Sequence, residues 1–182
     1  MFRVGLLLLA LSLGAAAHAI DRPPIHTAQK LSGEFTQSKY INDMGLSLAS
    51  SGNFALDREA GILWQSTAPL KSKIIIVSGN IFIDGQEVKA DSSVLVEMLA
   101  ILQSVLIGDL ETLAKYFEIK IELNADDFYI VMQARENLLA DLFSVITMSG
   151  RDYVEQVQIQ DKSGDYTRIQ LFNIVEGQAQ IE

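Results

Sequence analysis

Apolar positions recur at every second residue along most of the chain, the signature of strands with one covered face. In residues 52–58, Phe54, Leu56 and Arg58 fall on one side and Asn53 and Asp57 on the other. Glu59-Ala60-Gly61 is a short connection, Ile62-Leu63-Trp64-Gln65 begins the return strand, and Pro69 closes it. A second hairpin runs over residues 74–83 around Ser78-Gly79-Asn80, and Asp84-Gly85 turns into a short strand near residues 87–89. Later, Ile119, Ile121 and Leu123 alternate with Lys120 and Glu122, and residues 124–127 form a turn. Strands follow over residues 128–134, 143–148, 153–160 and 166–174, the last two separated by Asp161-Lys162-Ser163-Gly164-Asp165. Hairpins in succession imply an antiparallel meander of about nine to eleven strands, too many to stay flat.

Two stretches break this rhythm. Residues 25–38 read as an entry helix, with Leu31 and Phe35 four apart on one face. Between residues 92 and 117 the period turns helical. Val94, Leu95, Met98, Leu99, Ile101, Leu102, Val105 and Leu106 cover most of the circumference, leaving a polar stripe of Ser93, Glu97 and Ser104. Gly108-Asp109 ends this helix, and Asp109 suits the N-cap of a second short helix running through Phe117. A helix apolar all round needs cover on several sides. It is either a core helix packed on the sheet or a lid over the sheet's curl. The fold class expected is mainly β with a helical lid (α+β), a curled antiparallel sheet covered by short helices.

The first nineteen residues stand apart from this pattern. One positive charge at Arg3, an apolar run over residues 4–13 and Ala17-His18-Ala19 form a secretory signal, with cleavage expected after Ala19. The alternative is an uncleaved anchor, for which the apolar run is short. Residues 20–182 then form a single domain, with no linker or repeat dividing them. The formal net charge of −9 argues against nucleic acid and anionic lipid surfaces as partners. The chain has no cysteine, which excludes disulfides and a lipid anchor.

Reactive groups are scarce. Apart from His18 in the leader, His26 is the one histidine, and no nucleophile elbow, phosphate loop or metal-ligand spacing occurs. Asp126-Asp127 sits in a turn, where solvated carboxylates are ordinary; carboxylates without a place are all that a hydrolase could rest on. The expectation is a protein that is not an enzyme and has neither cofactor nor metal. What remains is an apolar concavity under a greasy helix, a shape suited to hydrophobic ligands.

Several motifs, in a shared order, resemble one family. They are Gly33-Glu34-Phe35-Thr36-Gln37; Gly52-x-Phe54-x-x-x-Arg58-x-x-Gly61-Ile62-Leu63-Trp64 followed by Pro69; the strand–turn–strand of residues 77–84; Gly108-Asp109-Leu110-Glu111-x-Leu113 with Phe117; and Asp161-x-x-Gly164-Asp165-x-Thr167-x-Ile169-x-Leu171-Phe172. In this order they are similar to LolA-type carriers of outer-membrane lipoproteins, over nearly the whole chain after the leader.

The resemblance implies a half-open antiparallel barrel under a helical lid, in the periplasm, as a monomer. It would accept acylated cargo from an inner-membrane transporter and surrender it to an outer-membrane acceptor. The family's gating arginine matches Arg58. Its cavity aromatic matches Trp64, with Ile62 beside it and Phe54 and Leu56 on the same inner face. The lid helix would contribute Met98, Ile101, Leu102 and Val105 to the cavity. Two departures stand out. Glu59 replaces the family's usual proline and would compete for the Arg58 guanidinium, and the extra C-terminal segment of the best-known members has no counterpart. The cargo is therefore a lipoprotein or another lipidated molecule. An interaction module of the cell envelope with a filled core is the alternative.

Overall fold

The computed structural model describes residues 25, 28–88, 93–135 and 142–181. The expected signal peptide with cleavage after Ala19, and His26, lie outside these. Alternation builds eleven strands: β1 Lys30–Ile41, β2 Leu46–Asp57, β3 Gly61–Ala68, β4 Ser72–Val77, β5 Asn80–Ile83, β6 Gln86–Val88, β7 Phe117–Asn124, β8 Asp127–Ala134, β9 Val145–Gly150, β10 Val154–Gln160 and β11 Tyr166–Glu176. Helices α1 Ser93–Ile107 and α2 Leu110–Leu113 interrupt the series between β6 and β7.

All eleven strands join one sheet in the order β6-β5-β4-β3-β2-β1-β11-β10-β9-β8-β7. Two meanders are thus zipped together by antiparallel pairing of the first strand with the last, Phe35 opposite Leu171 and Gln37 opposite Ile169. β6 and β7 remain edges, so the sheet curls without closing. β7 guards its edge with outward Glu118, Lys120 and Glu122, charges that discourage pairing with another chain.

The register aligns one apolar face across the whole sheet. Trp64 faces Phe54 and Ile74, and Ile62 faces Leu56 and Ile76. On the other half, Ile130 faces Met148, which faces Val157. α1 lies over this face, and its Ile101 and Val105 are buried against it. Gly61 makes the β2–β3 return possible: its φ of 128° is closed to other residues, and a Cβ there would overlap the Ile76 carbonyl oxygen.

Two expectations need correction. Residues 25–38 are not an entry helix; from Lys30 onward they form β1, at the centre of the sheet. Leu31 and Phe35 are four apart, which satisfies a helical face and a strand face equally, and pairing on both sides decides for the strand. The second helix stops at Leu113, and Phe117 opens β7 instead of ending α2. Asp109 caps α2 as its sequence position implied, its side chain accepting the Thr112 N–H.

Candidate functional site

Between α1 and the concave face lies a cavity of about 450 Å³. Ile62 and Trp64 of β3, Ile74 and Ile76 of β4, Val157 and Ile159 of β10 and Ile169 of β11 form its floor. Met98, Leu102, Val105 and Leu106 of α1 form its roof, and Leu142 and Phe143 close one side. Its volume lies in the range of small-ligand sites, roughly 300–1,000 Å³. Trp64 is held in place by stacking on the fully buried Phe35, with ring centroids 3.8 Å apart, and by Phe54 at 6.3 Å. Such pairs contribute about 1 kcal/mol beyond burial and fix the ring's plane.

Of the residues that the sequence pointed to, Ile62, Trp64, Met98, Leu102 and Val105 line the cavity. Phe54, Leu56 and Ile101 do not. They belong to the packed core, at 3%, 2% and 0% exposure. Ile74, Ile76, Leu106, Phe143, Val157, Ile159 and Ile169 are lining residues that sequence reasoning did not single out, although the strand members among them alternate with outward positions in the way that marked Phe54 and Leu56.

Arg58 follows β2 and sits where the lid helix ends. Its Nε donates to the Ala28 carbonyl at 3.1 Å and its Nη2 reaches the Ile107 carbonyl at 3.5 Å. α1 closes with a Schellman motif: Asp109 N–H bonds to Ser104 O at 2.8 Å and Gly108 N–H to Val105 O at 3.3 Å, around Gly108 at φ 69°. This leaves the Ile107 carbonyl outside the helical ladder, at the negative end of the helix dipole, and α1 has no basic residue in its last turn. The guanidinium supplies the missing cation. Glu59 forms no ion pair with it among the described residues.

Asp57, unnoticed in the sequence, builds the turn that carries Arg58. Its Oδ1 accepts the Glu59 and Ala60 N–H groups at 2.9 and 3.0 Å, and its Oδ2 meets Lys30 Nζ at 2.9 Å. The Ala60 N–H, then Lys30 and the Glu59 N–H, hold this carboxyl down from 3.8 to about 2. A depressed carboxyl contributes stability that is complete above its unfolded pKa and lost as pH falls toward the folded one. Asp57→Asn is therefore expected to lower the denaturant midpoint at pH 7, with the gap to the parent protein narrowing below pH 4 and closing near pH 2. Midpoints measured at pH 7, 4 and 2 check this; a gap that ignores pH would refute it.

A larger hollow of about 930 Å³ lies on the opposite face of the sheet, lined by Thr36, Ser38, Ser51, Thr147, Ser149, Gln156, Gln158, Gln170 and Arg168. Ala49, Ala68, Pro69, Tyr129, Val157 and Ile169 add apolar surface to it. The smaller cavity is the one that Met98, Leu102, Val105 and Leu106 of α1 roof, and it is the candidate site.

The family profile described as "Outer membrane lipoprotein carrier protein LolA" matches residues 26–180. No curated protein matches the chain in sequence. Among solved structures, the LolA superfamily protein NE2245 from Nitrosomonas europaea is similar at 8% identity and TM-score 0.46, over 86% of this chain and 90% of that one. The MucA/MucB complex of Pseudomonas aeruginosa is similar at 13% identity and TM-score 0.46, over 86% of this chain and 55% of that one. An outer membrane lipoprotein-sorting protein domain from Vibrio parahaemolyticus is similar at 10% identity and TM-score 0.39, over 87% and 90%. No helix among the described residues is long and apolar enough to cross a membrane. With the profile spanning the sheet, the lid helix and the arginine between them, this chain belongs to the LolA family of outer membrane lipoprotein carrier proteins.

Proposed function

We propose that this protein is a periplasmic carrier that shields the acyl chains of a lipoprotein or another lipidated molecule between the inner and outer membranes. The observation that carries the reading is the cavity of about 450 Å³, walled with apolar side chains from both the sheet and α1. Each methylene moved from water into such a wall gains about 0.8 kcal/mol, so a long acyl chain supplies ample energy to displace the lid.

Arg58 is the latch. It bonds to Ala28 and to Ile107 at the end of α1. Cargo too large for the resting volume lifts α1 and breaks the Ile107 contact, so the closed lid competes with cargo and helps expel it at the acceptor. An inner-membrane transporter would load the carrier and an outer-membrane acceptor would empty it. No step makes or breaks a covalent bond, and no cofactor or metal enters.

Titration of the purified protein with a fluorescent fatty acid tests the reading. Saturable binding with a blue shift in emission is expected. A weak, linear response like that of a protein without a cavity would contradict it.

A further inference from the structure

The cavity is polar at one end only, and that end bears an uncommitted cation. β1 presents Gln37 and then Lys39 on the concave face, and both line the cavity. Lys39 pairs in register with Leu48 on β2 and Thr167 on β11. Thr167, Tyr166, Asp161 and Asp165 complete the polar rim. The two carboxylates are occupied within their own turn and its neighbour: Asp161 Oδ1 accepts from Ser163 and from the Asp165 N–H, and Asp165 Oδ1 accepts the Asn42 N–H. Among the described residues, the ion pairs are Lys30 with Asp57 and Arg151 with Asp127, so no carboxylate claims Lys39.

The other cation of the site stands at the far end of β2. Leu48, beside Lys39, and Asp57, before Arg58, are nine residues apart in one strand, about 30 Å at the ordinary rise. Arg58 is committed to two carbonyls there. Hydrocarbon wall therefore runs from a latched arginine to a free lysine. Leu46 and Leu48, at 47% and 54% exposure, carry the apolar surface on past Lys39 to the open end.

We propose that the cargo bears an anionic group, a carboxylate or phosphate, at the head of its acyl chain, and that Lys39 pairs with it at the cavity mouth. This rests on the carrier reading and deepens it. Tail first, the chain reaches toward Arg58, and the head stops where Lys39 and Thr167 offer donors. Lys39 is exposed at the mouth, so its ammonium is within reach of a headgroup that stays at the rim while the acyl chain enters, and the charge-assisted hydrogen bond between them is a partly solvated one. In a chain of net charge −9, an unpaired lysine at this point selects a headgroup that the rest of the surface repels.

The test is displacement of the uncharged probe Nile red by oleate, by oleoyl lysophosphatidic acid and by uncharged monooleoylglycerol, whose acyl chains match. The parent protein is expected to favour either or both anions over monooleoylglycerol by about fivefold, the upper worth of an exposed charge pair. In Lys39→Gln that preference collapses, while in Lys120→Gln, on the outward side of β7, it persists. Which anion competes better separates a fatty-acid carboxylate from a lipid phosphate as the source. Equal competition by all three lipids in the parent, or a preference that survives Lys39→Gln, overturns the proposal and leaves the carrier reading standing. Absence of saturable Nile red uptake sinks the carrier reading itself, and this inference with it.

Discussion

Arg58→Leu is expected to hold acyl cargo more tightly and release it more slowly, with the fold intact. The side chain makes one good hydrogen bond, to Ala28, and one long one, to the end of α1. Hydrogen bonds from a charged group contribute about 1.5–3 kcal/mol each at best, and the long contact less. Only the Ile107 contact ties the arginine to α1, so losing it removes about 1 kcal/mol of preference for the closed lid, roughly fivefold in apparent affinity for any ligand that must lift α1. The substitute leucine adds apolar rim, which favours cargo again. Stopped-flow release of a bound fluorescent fatty acid reads the effect as a slower off-rate. An off-rate equal to the parent's would remove Arg58 from the gating role, because a surface arginine with the same bonds would leave release untouched.

Leu102→Glu is expected to abolish binding while sparing the sheet. Leu102 is only half-buried, on the face of α1 that roofs the cavity, opposite Trp64 and Val157. With the lid lifted, a carboxylate there remains hydrated and the protein folds. With acyl chain beneath it, the carboxylate loses water and gains no partner, a cost of several kcal/mol. The expected loss of fatty-acid affinity is at least a hundredfold, with far-ultraviolet circular dichroism unchanged. Retained affinity would place the ligand elsewhere, for instance in the larger hollow across the sheet.

Strands were legible because apolar side chains gather on one face of the sheet, and a period of two admits one register against that face. Periodicity reports which side a residue faces and not what lies there. Hence Phe54 and Leu56, inward by alternation, and Trp64, inward by its match to the family motif, differ in surroundings: the first two pack in solid core and the third lines the cavity. β1 was hidden for the opposite reason: Leu31 and Phe35 fit both periods, and one of its two partners lies at the far end of the chain, Phe35 opposite Leu171. Long separation also concealed the latch. Ala28 and Ile107 are 30 and 49 residues from Arg58, so the motif named the arginine while its partners emerged only from the fold. Asp57 looked like an ordinary outward residue until its side chain was seen to tie the turn below it.

The central claim is that the space beneath α1 holds hydrocarbon. Native mass spectrometry of the protein purified natively from its own host addresses it without choosing a ligand in advance. A mass excess that collisional activation releases as an acylated species, present in the parent and missing from Leu102→Glu, is the expected spectrum. Parent protein found at its bare mass even when purified with its membrane fraction, and still bare after incubation with acylated lipid, would contradict the account.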